Sequence, residues 1–227
     1  GLAAGAGAAA SAADPSPDAL PGLLRRGGVV AVFRHALAPG TFDPPEFKQG
    51  DCGTQRNLND EGRAQARAIG AWFHARGLRP AQVRSSPWCR CVDTATLAFG
   101  TTRSWAALGS PTGKSPAQRA AQLQELRQAL ATAAGQRGSF EVWVTHMFVI
   151  ADLTGQNTDS GDGVLLTSGG SGAPWAAFRA SRQPAGASRV APISVRDMRT
   201  SGAPSWANRP GTPRAVVGLT ENRSPGT

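Results

Sequence analysis

Cysteine is scarce: Cys52, Cys89 and Cys91 are the only three in 227 residues. An odd, sparse set excludes a disulfide-rich scaffold. The Cys89-x-Cys91 spacing suits neither a mutual bridge nor the paired Cys/His spacing of a zinc site. In an exported protein Cys52 could pair with Cys89 or Cys91; otherwise all three remain thiols. Lysine is scarcer still, with only Lys48 and Lys114, so the net charge of +9 is carried by arginine. From Ser181 onward seven arginines face only Asp197 and Glu221, which leaves +4 for the first 180 residues. Charge scattered in this way, rather than clustered on one stretch, argues against a nucleic-acid partner. A modest positive bias suits capture of an anionic substrate. No apolar run approaches the roughly 18 residues of a membrane span, and no internal repeat is present.

Composition divides what is there into three parts. Residues 1–13 are almost pure Gly and Ala, and Ala10-Ser11-Ala12-Ala13-Asp14 has the small-residue character of a signal-peptidase site. This stretch reads as the remnant of a secretory signal or a flexible leader, and the first reading predicts a periplasmic or secreted protein. Residues 14–180 carry the periodic segments of a folded domain, and 181–227 are Pro, Gly, Ser and Arg with little periodicity, a disordered or loosely attached tail.

Within the domain, Gly28-Val29-Val30-Ala31-Val32-Phe33-Arg34-His35 is an apolar run that stops abruptly at an arginine and a histidine. A continuous apolar run after glycine reads as a strand buried on both faces of a parallel sheet. Ligands in such sheets bind beyond the carboxyl ends of the strands. Phe140-Glu141-Val142-Trp143-Val144-Thr145-His146 repeats the pattern, and Gln82 to Ser85 is a shorter strand. Helices are expected from Pro17 to Arg26, after the cap Asn59, after Ser85-Ser86-Pro87, after the capping box Ser115-Pro116-Ala117-Gln118, and from Met147 to Leu153. The helix after Asn59 should bury Ala68, Ile69, Trp72 and Phe73, and the one after Pro87 should bury Val92, Ala95, Thr96 and Phe99. Gly163 to Thr167 and Trp175 to Arg179 read as a closing pair of strands. Residues 36–57 form a long irregular loop rich in turn chemistry, with 101–114 a second connector. The whole predicts an α/β three-layer sandwich, a mostly parallel central sheet flanked by helices.

That topology brings Arg34, His35, Arg90 and His146 to one end of the sheet. Arg90 falls in the first turn of its helix, where the helix dipole already favours an anion. Two arginines with two histidines suit phosphate. His74, alone on a helix, reads as a solvated side chain.

Four segments now add up to a resemblance. Val32-Phe33-Arg34-His35-Ala36 resembles the Arg-His-Gly motif of the histidine phosphatase superfamily, with alanine in place of glycine. Arg56-Asn57-Leu58-Asn59-Asp60-Glu61-Gly62-Arg63-Ala64-Gln65-Ala66 is similar to that family's segment before its first long helix. Ser85-Ser86-Pro87-Trp88-Cys89-Arg90-Cys91-Val92-Asp93-Thr94-Ala95 resembles its Ser-Ser-Pro-x-x-Arg pattern, and Val144-Thr145-His146 its late histidine motif. Asp51-Cys52 ahead of Arg56 looks like a small bacterial exported branch.

The resemblance implies a phosphoglycerate mutase-like fold and a phosphomonoesterase working through a phosphohistidine on His35. Arg34, Arg90 and His146 would hold the phosphate, Arg56 would add a contact, and neither metal nor cofactor is implied. Asp162 is the candidate proton donor, with Asp51 behind it. The substrate would be a small-molecule or sugar phosphomonoester, with loops 36–57 and 101–114 shaping the leaving-group site. A phosphohistidine or phosphoprotein phosphatase, and a non-catalytic phospho-ligand binding module on the same fold, are the alternatives.

Overall fold

In a computed structural model, the described residues are 19–167 and 176–178. The expected leader (1–13) and tail (181–227) lie outside them. Six strands form one sheet in the order β3-β2-β4-β1-β5-β6. They are β1 (Val29–Arg34), β2 (Gln82–Ser85), β3 (Arg103–Ser104), β4 (Phe140–Thr145), β5 (Gly163–Thr167) and β6 (Ala176–Phe178). The pairs β1–β4, β2–β4 and β2–β3 are parallel, whereas β5 and β6 join antiparallel on the other edge. The helices are α1 (Ala19–Arg26), α2 (Asp60–His74), α3 (Cys89–Phe99), α4 (Pro116–Ala134) and α5 (Met147–Thr154). The sandwich expected from the sequence is the one observed.

Alternation along β1 builds both faces. Val29, Ala31 and Phe33 join a core with Leu20, Leu24, Ile69, Trp72 and Phe73, from α1 and α2. Val30 and Val32 point the opposite way and pack with Leu126, Ala133, Val149 and Ile150 from α4 and α5. Period-two geometry sends neighbouring side chains to opposite faces, so a strand covered by helices on both must be apolar throughout. Helix starts follow their sequence signals. The Asn59 side chain accepts from the Gly62 N–H at 2.8 Å, and Ser115 with Gln118 forms the full capping box.

Two helix faces depart from expectation. Ala68 is exposed, and the buried positions of α2 are Gly62, Ala66, Ile69, Gly70, Trp72 and Phe73. In α3 the buried side is Cys89, Arg90, Cys91, Thr94 and Ala95; Thr96 is exposed and Val92 only half-buried. The inward-turned arginine explains the second case, because a charged residue on the buried face hides that face from apolar periodicity. Two glycines set how close the layers come. A Cβ on Gly70 would lie 2.1 Å from the Ala98 carbonyl oxygen of α3, and one on Gly62 would lie 2.0 Å from that of Leu37. The expected helix from Pro17 is described from Ala19, and the expected strand 175–179 over 176–178. No described helix is long and apolar enough to cross a membrane.

Candidate active site

Strands β1 and β4 lie side by side with Arg34 in register with Thr145, so the residues that follow them, His35 and His146, emerge together. The His35 N–H donates to the Thr145 carbonyl at 2.9 Å, and its own carbonyl accepts from Gly161 at 3.1 Å. The two imidazole centroids are 5.6 Å apart.

The hydrogen bonds of His35 settle its tautomer. Nδ1 lies 2.8 Å from the Ala36 carbonyl, which can only accept, so Nδ1 carries the proton. Nε2 is left with its lone pair and accepts from Arg90 Nε–H at 3.2 Å. Burial lowers the His35 pKa to about 3, reinforced by Arg90, Arg34 and Arg56 and opposed by the Ala36 carbonyl. The ring is neutral at pH 7, with its free nitrogen among three guanidinium groups. His146 is likewise pushed well below its ordinary pKa, by burial first and then by His35 and Arg90. Its Nε2 lies 2.8 Å from the Ser86 hydroxyl.

Arg90, only 4 % exposed, spreads its two terminal nitrogens over the Asp43 carboxylate at 2.7 and 3.2 Å. Arg34 donates from Nη1 to the Thr158 carbonyl at 2.7 Å. Arg56 donates to the Ala38 carbonyl at 2.7 Å and also to that of Gly40, so it shapes the loop after His35 as well as facing the cavity. The buried Nε donors of Arg34 and Arg56 have no hydrogen-bond partner among the described residues. Unpartnered buried cationic donors are costly, and an anion in the cavity would satisfy them.

These groups share a cavity of about 570 Å³. Its base is Arg34, His35, Arg56, Arg90 and His146, with Asp43 beside them. Its walls come from both expected loops, through Thr41, Phe42, Pro44 and Phe47 on one side and Ser110 and Thr112 on the other. Trp88, Met147 and Phe148 complete the lining. Trp88 stacks on Phe47 with centroids 5.4 Å apart and donates through Nε1 to Asp43 at 3.2 Å.

Neither carboxylate singled out from the sequence lines this cavity. Asp162 is buried behind Arg34: its carbonyl accepts from the Arg34 N–H at 2.9 Å and its carboxylate from the Asp159 N–H at 3.0 Å. Asp51 is exposed and caps the short 3-10 turn Cys52–Thr54, accepting from Gly53 at 3.1 Å. His74 is exposed in the last turn of α2. The start of α3 is also less open to an anion than its dipole suggests. The Trp88 N–H goes to Ser86 Oγ at 3.3 Å and the Cys89 N–H to Gln55 Oε1 at 3.0 Å. Asp43 was missed because Asp43-Pro44-Pro45 reads as turn chemistry and nothing local marks its distant partner. Ser86 and Trp88 lie inside the Ser-Ser-Pro-x-x-Arg segment, but no sequence signal gives them a role.

A disulfide joins Cys52 to Cys89, Cα atoms 5.7 Å apart, and so pins the long loop to the residue before Arg90. Cys91 is a buried thiol whose pKa burial raises to about 12. No group of three or more His, Cys, Asp or Glu that could hold a metal ion occurs among the described residues.

The strand ends of this α/β protein thus bring a neutral histidine and three arginines to one cavity, a surrounding that suits an anion. Residues 32–107, the segment that supplies Arg34, His35, Arg56 and Arg90, match the family model of the histidine phosphatase superfamily, branch 1. His146 lies beyond the matched segment. Among solved structures, the chain is similar to the protein histidine phosphatase SixA complexed with tungstate, at 18% identity and TM-score 0.42, covering 61% of this chain and 87% of that one. It is similar to an open reading frame product from Mycobacterium tuberculosis, at 17% identity and TM-score 0.48, covering 60% and 89%. A phosphoserine phosphatase mutant from Entamoeba histolytica in complex with phosphoserine gives 13% identity and TM-score 0.46, covering 60% and 89%. No curated protein matches the chain.

Proposed function

We propose that the protein hydrolyses phosphomonoesters without a metal ion, through a phosphohistidine on His35. The observation that carries this reading is the tautomer of His35, whose Nδ1 is committed to the Ala36 carbonyl while Nε2 presents a lone pair among Arg90, Arg34 and Arg56. A nucleophilic imidazole needs that arrangement.

Nε2 attacks phosphorus in line as the bond to the ester oxygen breaks, and the arginines balance charge on the equatorial oxygens. His146 sits beside them; an arriving phosphate dianion favours its protonated form and makes it a donor. Asp43 is the one carboxylate among the described residues that lines the cavity, and we assign it the proton donor role. Burial raises its pKa, but the Arg56 N–H and then Arg90 more than offset that and hold it below the ordinary value. A phosphate that competes for Arg90 removes the stabilising cation and adds a like charge, and both push the carboxyl pKa upward. The protonated Asp43 then donates to the departing alkoxide. In the second half, water attacks phosphorus, its proton passes to Asp43, the P–N bond breaks and phosphate leaves.

The disulfide supports the proposal of a periplasmic or secreted location, since such bonds persist in oxidising compartments. Cell fractionation tests it, and a cytosolic protein with reduced Cys52 would be the contrary result.

The test of the mechanism is a rapid acid-free quench with a phosphorus-labelled phosphomonoester in EDTA. Label on the wild-type protein that is lost in acid, and none on His35→Ala, is expected. Full turnover by His35→Ala would sink it, and phosphate binding without labelling would point to a binding module instead.

A further inference from the structure

We infer that the cavity selects phosphomonoesters whose alcohol carries an aromatic ring next to the ester oxygen. This rests on the phosphomonoesterase reading for the placement of the phosphate, and it adds what the rest of the substrate must be.

Two large apolar side chains stand exposed among the described residues, Phe42 at 76 % and Phe148 at 44 %. Both line the same cavity, one from the loop after His35 and one from α5, one residue beyond Met147. Scattered exposed apolar residues are ordinary on a surface; two that converge on one concave site mark a place where an apolar partner is to be buried. Deeper in, Phe47 and Trp88 are stacked with an interplanar angle of 20°. The Trp88 and His146 rings meet edge-to-face with centroids 5.3 Å apart, so the aromatic wall begins where the phosphate site ends.

The polar inventory points the same way. Every ionisable lining residue belongs to the phosphate end: Arg34, His35, Arg56, Arg90, His146 and Asp43. Beyond them the side-chain polar groups are the hydroxyls of Thr41, Ser110 and Thr112 and the Trp88 indole N–H, which is already given to Asp43. A polyhydroxylated alcohol would leave most of its hydrogen bonds unmade against phenyl and indole faces, which costs free energy for each buried polar group. A flat ring loses nothing and gains edge-to-face or stacked contacts with the four aromatic side chains. The volume of about 570 Å³ admits a ring as well as the phosphate, since small-ligand sites run to roughly 300–1,000 Å³.

The test separates recognition from turnover. Binding of benzylphosphonate and methylphosphonate, neither of which can be hydrolysed at a P–O ester bond, is measured by calorimetry. Alongside it, kcat/KM is compared for benzyl phosphate and glycerol 3-phosphate, which both expel an alkoxide. The benzyl ligand should bind at least tenfold more tightly, and the Phe42→Ala/Phe148→Ala double variant should lose most of that ratio. For the same variant, kcat/KM on glycerol 3-phosphate should fall by a smaller factor than that on benzyl phosphate. Equal binding of the two phosphonates, or a ratio unchanged in the variant, overturns the inference. Tenfold selectivity in binding with no turnover of either ester would uphold the aromatic subsite and overturn the phosphatase reading instead. Free phosphotyrosine against a phosphotyrosine peptide then tells whether the ring arrives on a small molecule or a protein, and selectivity for either supports the subsite.

Discussion

The Asp43 carboxylate holds both terminal nitrogens of Arg90, at 2.7 and 3.2 Å, across 47 positions of sequence. It thereby occupies the fork that a phosphate would use, while lying close enough to serve the reaction once displaced.

Asp43→Asn separates these two roles. Loss of the proposed proton donor should lower kcat on alkyl phosphates by about 10²-fold. On 4-nitrophenyl phosphate, whose leaving group departs without a proton, the loss should be severalfold at most. Inhibition by inorganic phosphate should strengthen, because nothing anionic then competes for Arg90. Steady-state kinetics on the two substrate types checks all three, and an equal loss on both would argue for a merely structural carboxylate.

Arg90→Lys keeps the charge but removes both the fork and the Nε donor to His35. Lysine cannot reproduce a bidentate contact. A fall of about 10²-fold or more in kcat/KM is expected, with Tm changed by only a few degrees. Near-normal kcat/KM would remove Arg90 from the phosphate site.

Acid should destabilise the fold earlier than carboxylate chemistry alone predicts. His35 and His146 have folded pKa values below the ordinary 6.5, so between the two values the unfolded chain binds more protons. Stability therefore rises with pH through that window and is lost as pH falls from about 6.5 towards 3. Asp43, also depressed, adds a loss below its own ordinary value of 3.8. Thermal melts at pH 7, 6, 5 and 4 should show a steady fall in Tm, and His35→Gln should flatten it. A wild-type Tm constant over this range would contradict the buried neutral pair.

Cys52 is exposed, so the disulfide is open to reductants. Opening a bridge that spans 37 positions should cost about 4 kcal/mol on chain-entropy grounds. It also frees the loop that carries Asp43, Phe42 and Phe47. Dithiothreitol, or Cys52→Ser with Cys89→Ser, should lower Tm and raise KM more than it lowers kcat. Unchanged kinetics in the double variant would mean the loop is held by its other contacts, such as Arg56 to Ala38.

Two glycine substitutions with similar steric cost should part company in activity. Gly70→Ala presses on the Ala98 carbonyl, between α2 and α3, and Gly62→Ala on that of Leu37, two residues after His35. Overpacking of this kind costs about 1–3 kcal/mol. Both should lower Tm, but only Gly62→Ala should also depress kcat. Parallel losses of kcat in the two variants would show that the loop does not transmit the strain.

What could be read from the sequence follows from where the information is local. The strand ending in Arg34-His35 declares itself by apolar continuity, and β4 repeats it before His146, because residues buried on both faces leave no alternation to misread. The turned face of α3 escaped because Arg90 is a buried charge, against every periodicity rule. Asp43 escaped for a related reason. Asp51 and Asp43 are alike as carboxylates of one 22-residue loop, and only the path of that loop decides which of them lines the cavity. That path depends on Arg56, the disulfide and the Phe47–Trp88 stack, all contacts between distant positions.

The ladder between β1 and β4 has one more consequence. Because Arg34 is paired with Thr145, the spacing of the two histidines is inherited from backbone hydrogen bonds, and a slip of one residue would turn every side chain of β1 to the wrong face. The two imidazoles are therefore anchored in a part of the chain that cannot change length. The loop that follows obeys a different economy, since doubling its length would add only about 0.6 kcal/mol of closure entropy. Insertions there can remodel the cavity wall while His35 Nε2 stays where it is, so descendants of this fold can change what the cavity admits without moving its two histidines.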